Sequence, residues 1–183
     1  MKIAVISDIH DNFNNLLRAL DAMRERGVEQ ILCLGDIINP GVAKILVDSG
    51  IPTFTIWGNN DGDKVTITKF SLAPGSSLEV GDKTYASLEM GGKKIFITHY
   101  PDLVGPIAAN GLYDVVFYGH DHLKRSGQFA KCLIVNPGEI SGIKTREATF
   151  ALYDTDTNRV EIITLDESVS VRTDYVEAYF SEK

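Results

Sequence analysis

Cysteine is scarce: only Cys33 and Cys132 occur, far apart, each inside an apolar run and without a C-x-x-C spacing. That argues against a cysteine-built zinc or iron–sulfur centre and against a disulfide framework, and leaves two reduced core thiols. No apolar run approaches the roughly 20 residues a membrane-spanning helix requires. The first run, Ile3 to Ile6, meets Asp8 too soon to be a signal-peptide core. A cytoplasmic protein with no membrane partner is therefore expected. Positive charge is also in deficit: the net charge of −7 opposes long nucleic acid and anionic lipid as partners. A compact cationic site could still hold one small anion. Gly/Ser tracts, Gln/Asn tracts and repeat periods are missing, so no linker, solenoid or disordered arm is expected. A length of 183 residues suits one domain, 1–183, with enough buried apolar surface to need no staples.

What the chain does have is a series of short runs rich in Val, Ile and Phe: Ile3 to Ile6, Ile31 to Leu34, Thr53 to Trp57, Ile95 to Thr98, Val115 to Tyr118 and Cys132 to Val135. Helical patterns separate the early ones, which predicts an α/β layered fold. Asn14 to Arg26 places Leu16, Leu20 and Met23 on one face, with Asp11 or Asn12 as N-cap and Gly27 at the C-terminal cap. A second helix begins with Pro40 in its first turn, carries Val42, Ile45 and Leu46 as its buried stripe and ends at Gly50. Lys64 to Phe70 is open between strand and helix because its β-branched residues compete with a helical pattern. Leu78 to Val80, Tyr85 to Met90 and Ile95 to Thr98 are separated by GDK and GGK, which read as hairpin turns. A second strand–turn–strand unit follows in ATFALYDTDTNRVEIITL. Helix-linked strands followed by hairpins suggest two sheets packed face to face with helices outside.

The polar residues fall where such a fold converges. Asp8 and His10 follow the first strand, Gly35 and Asp36 the second, and Gly58, Asn59, Asn60 and Asp61 the third. His99 follows the Ile95 to Thr98 strand, and Gly119, His120, Asp121 and His122 follow Val115 to Tyr118. Residues just beyond the carboxyl ends of strands meet in one crevice of an α/β sheet. In DIH and HDH an extended backbone would point the outer residues to the same side. The glycines before Asp36, Asn59 and His120 suit sharp turns and close approach. Any one of these pieces is as readily a turn or a structural histidine, but all four histidines of the chain lie in the pattern. The donors are N and O with no thiolate, which suits Mn, Fe, Co, Ni or Zn.

These residues, in this order, resemble the calcineurin-like metallophosphoesterase superfamily, whose pattern is D-x-H, G-D, G-N-H-D/E, H and G-H-x-H. The resemblance runs from Asp8 to His122 and extends to NPG at Asn136 to Gly138. Little is inserted between the motifs, which is similar to the small bacterial and archaeal phosphodiesterases of the superfamily. The resemblance implies a four-layer αββα sandwich of two mixed β-sheets. It also implies two divalent metal ions, manganese first, with Ni, Fe, Co or Zn as alternatives. One would be held by Asp8, His10, Asp36 and His122, the other by Asp36, Asn59, His99 and His120, with Asp36 shared. The implied reaction is hydrolysis of a phosphodiester in a small molecule by in-line attack of a hydroxide bridging the ions.

Asn60 departs from the pattern: it stands where many members have His, and an amide cannot act as a general acid near pH 7. A hydrogen bond from Asn60 to a phosphoryl oxygen is the role left to it. Asn12, Tyr100 and Asn136 are weaker candidates for substrate contact, with capping, packing or turn formation as the competing reading. Lys124 and Arg125 could hold phosphate or simply be solvated, and Trp57 could wall the cleft or fill the core. The competing functions are a protein-binding scaffold on the same fold, as in the retromer scaffold subunit, and a phosphomonoesterase. The hairpin region and YVEAYF near the C-terminus are candidate surfaces for a homo-oligomer.

Overall fold

A computed structural model of the protein describes residues 1–165. The chain order is β1 (Lys2–Ile6), α1 (Phe13–Glu25), β2 (Gln30–Cys33), α2 (Pro40–Asp48), β3 (Thr53–Thr55), α3 (Lys64–Ser71), β4 (Leu78–Val80), β5 (Tyr85–Met90) and β6 (Lys93–Thr98). It continues through α4 (Val104–Ala109), β7 (Val115–Tyr118), β8 (Arg125–Phe129), β9 (Cys132–Asn136), β10 (Thr149–Asp154) and β11 (Arg159–Thr164). A six-stranded sheet has the order β11-β10-β1-β2-β3-β4 and a five-stranded sheet the order β5-β6-β7-β9-β8. Both are mixed. In the first, β1 to β4 run parallel, and β10 pairs antiparallel with both β1 and β11. In the second, β6, β7 and β9 run parallel, with β5 and β8 antiparallel at the edges.

Strand alternation builds the layers. Ile3 and Val5 of β1 face inward with Leu32, Ile95, Ile97, Val115, Phe117 and Tyr153, forming the core between the sheets. Ala4 and Ile6, pointing the other way, pack with Leu16, Leu20 and Met23 of α1 and with Val42, Ile45 and Leu46 of α2. Phe96, Val116 and Tyr118 cover the opposite outer face with Val104 and Ala108 of α4. The result is the αββα sandwich read from the sequence. Asn12 caps α1 by accepting from Asn15 N–H at 3.1 Å, and Asn39 caps α2 by accepting from Gly41 N–H at 2.7 Å.

Two local expectations resolve differently. Lys64 to Phe70 is helical because the Asp63 side chain accepts from Thr66 N–H at 3.0 Å and Ile67 is buried against the α1–α2 side of the sheet. Capping and one buried anchor outweigh the β-branched residues. The GDK turn is not a hairpin: β4 lies at the edge of the six-stranded sheet, parallel to β3, and β5 at the edge of the other. Gly81 N–H donates to the Thr55 carbonyl and Trp57 N–H to the Lys83 carbonyl, so this segment carries the chain from one sheet to the other. GGK does close the β5–β6 hairpin, and the later unit is the β10–β11 hairpin. Tyr85 of the hairpin region is exposed, whereas YVEAYF (175–180) lies outside the described residues. Among those residues, no helix is long and apolar enough to cross a membrane.

Candidate metal centre

The carboxyl ends of β1, β2, β3, β6 and β7 deliver their loops to one rim of the sandwich. Backbone hydrogen bonds stitch those loops together: Asp8 N–H donates to the Gly35 carbonyl, Ile9 and His10 N–H to the Asp36 carbonyl, and Gly119 N–H to the His99 carbonyl. The approach is close enough that side chains are excluded at key points. A Cβ on Gly58 would collide with the Asp36 carboxylate, and one on Gly119 with Ser7 Oγ.

All four imidazoles reach this rim. His10 Nε2 lies 3.7 Å from Asp8 Oδ1 and 3.5 Å from Asp36 Oδ2; His122 Nε2 lies 3.4 Å from Asp8 Oδ1; His99 Nε2 lies 3.7 Å from Asp36 Oδ1. Asn59 Oδ1 receives two rings, His99 Nε2 and His120 Nδ1, each at 2.9 Å. Donor atoms of Asp8, His10 and His122 lie within 4.8 Å of one another, as do those of Asp8, Asp36 and His99. Asp8, Asp36, His99 and His122 are buried, while Asn59 and Asn60 open to solvent.

The i, i+2 pairs converge for a reason other than the one expected. Asp8, His10, His120 and His122 have φ of 54°, 45°, 73° and 66°, so their backbone is left-handed rather than extended. The two histidines of GHDH accordingly part company, His122 turning to Asp8 and His120 to Asn59.

The donor set fits a cation. Asp8 Oδ2 accepts from Ser7 Oγ at 2.6 Å and from His120 N–H at 3.0 Å, but Asp8 Oδ1 and His10 Nε2 are buried with no hydrogen-bond partner. Such groups are costly unless something in the site satisfies them. His99 Nδ1 faces the Leu34 carbonyl at 2.8 Å, which can only accept. A neutral His99 therefore carries its proton on Nδ1 and aims the Nε2 lone pair at Asn59 Oδ1, another acceptor. A cation placed between the two lone pairs would satisfy both. Burial pushes the Asp8 carboxyl up, but the nearby His10 ring, the hydrogen bond from Ser7 Oγ and the attraction of the His122 and His99 rings outweigh it and hold its pKa below the ordinary carboxylate value. The neighbouring Asp8 raises the His10 pKa above its ordinary value, with burial opposing and Asp36 adding to the rise.

The model for the calcineurin-like phosphoesterase superfamily domain matches residues 1–158. The chain belongs to that superfamily. Phosphodiesterase MJ0936 of Methanocaldococcus jannaschii is 30% identical over 91% of this chain and 100% of its own length. Phosphodiesterase YfcE of Escherichia coli is 26% identical over 85% of this chain and 89% of its own. The solved structure of a novel archaeal phosphodiesterase superposes with a TM-score of 0.82 at 30% identity, covering 90% of this chain and 100% of that one. Vps29 of Chaetomium thermophilum shares the fold, with a TM-score of 0.62 at 18% identity over 90% of this chain and 95% of its own. Membership of the calcineurin-like phosphoesterases agrees with the four-layer fold, with a phosphoester hydrolase and with a requirement for divalent metal ions.

The sequence reading placed Asp61 at a strand end without a role, and two other residues that shape this phosphoesterase site escaped it. Asp61 is buried, and its carboxylate accepts from the N–H groups of Asp36 (3.2 Å), Ile37 (2.7 Å), Ile38 (2.9 Å) and Gly58 (2.6 Å), holding the β2 and β3 loops together. Glu139, fully buried, accepts from His122 Nδ1 at 2.7 Å and from four other donors. Burial pushes the Glu139 carboxyl up, yet hydrogen bonds from Ser141, His122 and Thr145 hold its pKa below the ordinary value. Ser7 is the third. A buried acid within hydrogen-bond reach of a histidine is the signal for such residues, and in sequence Glu139 stands 17 positions from His122.

The weaker candidates also find places. Asn12 spends Oδ1 on the α1 cap and Nδ2 on the Ser141 carbonyl at 2.8 Å, so its amide is occupied by structure. Asn136 is fully buried: Nδ2 donates to Asp121 Oδ1 at 2.7 Å and Oδ1 accepts from Gly138 N–H at 2.8 Å, which braces the GHDH loop. Tyr100 packs against the rings of His99 and His120 at 5.1 Å each. Trp57 belongs to the core, with Lys64 Nζ 5.0 Å above its ring. Lys124 and Arg125 are engaged by Glu147 at 2.7 Å and Asp121 at 3.2 Å.

Proposed function

We propose that this chain hydrolyses phosphodiester bonds of small molecules with two divalent cations held at the strand-end rim. One would be held by Asp8, His10, Asp36 and His122 and the other by Asp36, Asn59, His99 and His120. Manganese is proposed first; Ni, Fe, Co and Zn also suit mixed N and O donors. The observation that carries the reading is the pair of buried, partnerless atoms Asp8 Oδ1 and His10 Nε2, facing the same space as His122 Nε2. The chemistry such cations supply is polarisation of a phosphoryl oxygen and a lowered pKa of water.

The chain's own residues prepare the site. Ser7 and the His120 N–H hold Asp8 Oδ2 and thereby present Oδ1. Asp36 turns Oδ2 toward His10 and Oδ1 toward His99, the arrangement a shared ligand needs. Asn60 Nδ2, beside Asp36, is close enough to the donor set to hydrogen-bond a phosphoryl oxygen but has no proton to give a leaving group. No arginine lies within the loops that hold the donors, which favours a monoanionic diester over a dianionic monoester. The names of the MJ0936 and YfcE relatives point the same way. The reading takes residues 1–183 as one cytoplasmic domain acting on a small substrate rather than on long nucleic acid.

The test is to strip the purified protein with chelator, reload it with each metal, and assay bis-p-nitrophenyl phosphate against p-nitrophenyl phosphate. Metal-dependent cleavage, faster on the diester and abolished by Asp36→Ala or His99→Ala in folded protein, is expected. Faster monoester cleavage would make the chain a phosphomonoesterase. A folded protein that binds no metal would support the protein-binding scaffold reading.

A further inference from the structure

We propose that Glu139 is a positioning residue that fixes the tautomer and ring orientation of His122, and thereby the metal affinity of the Asp8, His10 and His122 side of the centre. The inference rests on the metal-dependent reading above, and it concerns a residue outside every motif that carries the family resemblance.

The geometry is that of a saturated carboxylate. Oε2 accepts from His122 Nδ1 at 2.7 Å and from Ser141 Oγ; Oε1 accepts from Lys144 N–H at 2.9 Å, Thr145 N–H at 2.7 Å and Thr145 Oγ1 at 2.9 Å. Glu139 has no solvent exposure, and its own backbone is fixed as Thr149 N–H donates to its carbonyl at 2.8 Å. The next two residues are tied to the first metal loop: Ile140 N–H donates to the Ser7 carbonyl at 3.0 Å and Ser141 N–H to the Asp8 carbonyl at 3.1 Å. The acid is therefore held from both sides, and it cannot follow His122 if the ring turns.

An ionised carboxylate only accepts, so a neutral His122 facing it keeps its proton on Nδ1. Nε2 is then left with a lone pair, 3.4 Å from Asp8 Oδ1, and the ring stacks on His10 with centroids 5.0 Å apart and planes 13° from parallel. With the other tautomer an N–H, and with the ring rotated by half a turn a C–H, would occupy the place of the donor lone pair. Partners of this kind behind a ligand histidine are typically worth about 10- to 100-fold in metal affinity.

Two measurements decide the matter. In metal-free wild-type protein held about two pH units above the ordinary histidine pKa, long-range proton–nitrogen NMR on labelled histidine should show His122 as the Nδ1–H tautomer. An Nε2–H or mixed population would overturn the proposal without any variant. In Glu139→Gln, whose amide adds donors where only acceptors stood, stepwise metal titration should show one binding step weakened about 10- to 100-fold and the other little changed. Two unchanged steps, or two equally weakened, would reduce Glu139 to a loop anchor and overturn the proposal. If wild type binds no metal, the functional reading fails on its own, while the tautomer still decides the role of Glu139. Should the variant not fold, the wild-type spectrum alone carries the decision.

Discussion

The side-chain amide of Asn60 donates a 2.7 Å hydrogen bond to Oδ2 of Asp36, and its backbone N–H donates to Oδ1 at 2.9 Å. Both oxygens of the central carboxylate are thus touched by the one position at which the chain departs from the pattern it otherwise resembles. General acid catalysis is typically worth about 10²- to 10⁴-fold, so Asn60→His should accelerate cleavage of esters with poor leaving groups by at least about tenfold while changing nitrophenyl esters little. Comparing the two substrate types in one preparation checks this. Equal effects on both would mean that position 60 does not serve the leaving group.

His10 gives a pH signature. Its pKa is raised by Asp8 beside it, so in the metal-free protein the protonated ring adds stability that is fully present below the unfolded value near 6.5 and is lost as pH rises through the higher folded value. A metal needs the neutral ring, so loading below that folded pKa must release a proton and apparent affinity must fall with pH. Calorimetric titration at about pH 6.5, the ordinary histidine value, in two buffers of different ionisation enthalpy should report proton release. Identical heats in the two buffers would contradict it. Asp8 and Glu139 act at the acid end, because carboxyls with lowered pKa add stability that is lost as pH drops below the carboxylate range.

Asp61→Ala would leave four inward-facing N–H groups without their acceptor. At about 1–3 kcal/mol for each buried group left unsatisfied, urea unfolding should show a loss of about 4 kcal/mol or more, together with weakened metal binding at Asp36. A variant as stable as wild type would show that water replaces the carboxylate there.

The thiols should be silent in the folded protein. Both are free and buried, burial pushes Cys33 up to about 12, and Cys132 is also raised. Labelling by a disulfide reagent near neutral pH should therefore follow the denaturant unfolding curve. Rapid modification of either residue in native conditions would be at odds with the core described.

Much of this was legible in the sequence because the site is made of polar residues placed where apolar runs stop. Strand ends brought Asp8, His10, Asp36, Asn59, His99, His120 and His122 to one rim along with neighbours such as Asn60 and Asp121, and the family pattern picked the seven out as expected ligands; the β1 and α1 faces came from their periods. What stayed hidden depends on tertiary hydrogen bonds. Asp61 looked like loop composition until its carboxylate met the β2 loop, and Glu139 followed an ordinary Pro-Gly turn with nothing nearby in sequence to mark His122 as its partner. The GDK turn misled because turn chemistry says that the chain bends and not which sheet edge it joins. The left-handed loops were missed because donor spacing alone does not report φ.

Seven of the ten non-glycine residues with positive φ among the described residues belong to the loops of the centre: Asp8, His10, Asp11, Asp36, Ile38, His120 and His122. Side chains in that region cost of order 1 kcal/mol or more apiece, and glycine would relieve each of them. A screen for heat tolerance that ignored activity would thus be drawn to these positions, and at five of them each gain would delete a side chain proposed to hold a metal. Endurance and reactivity compete here for the same few backbone angles.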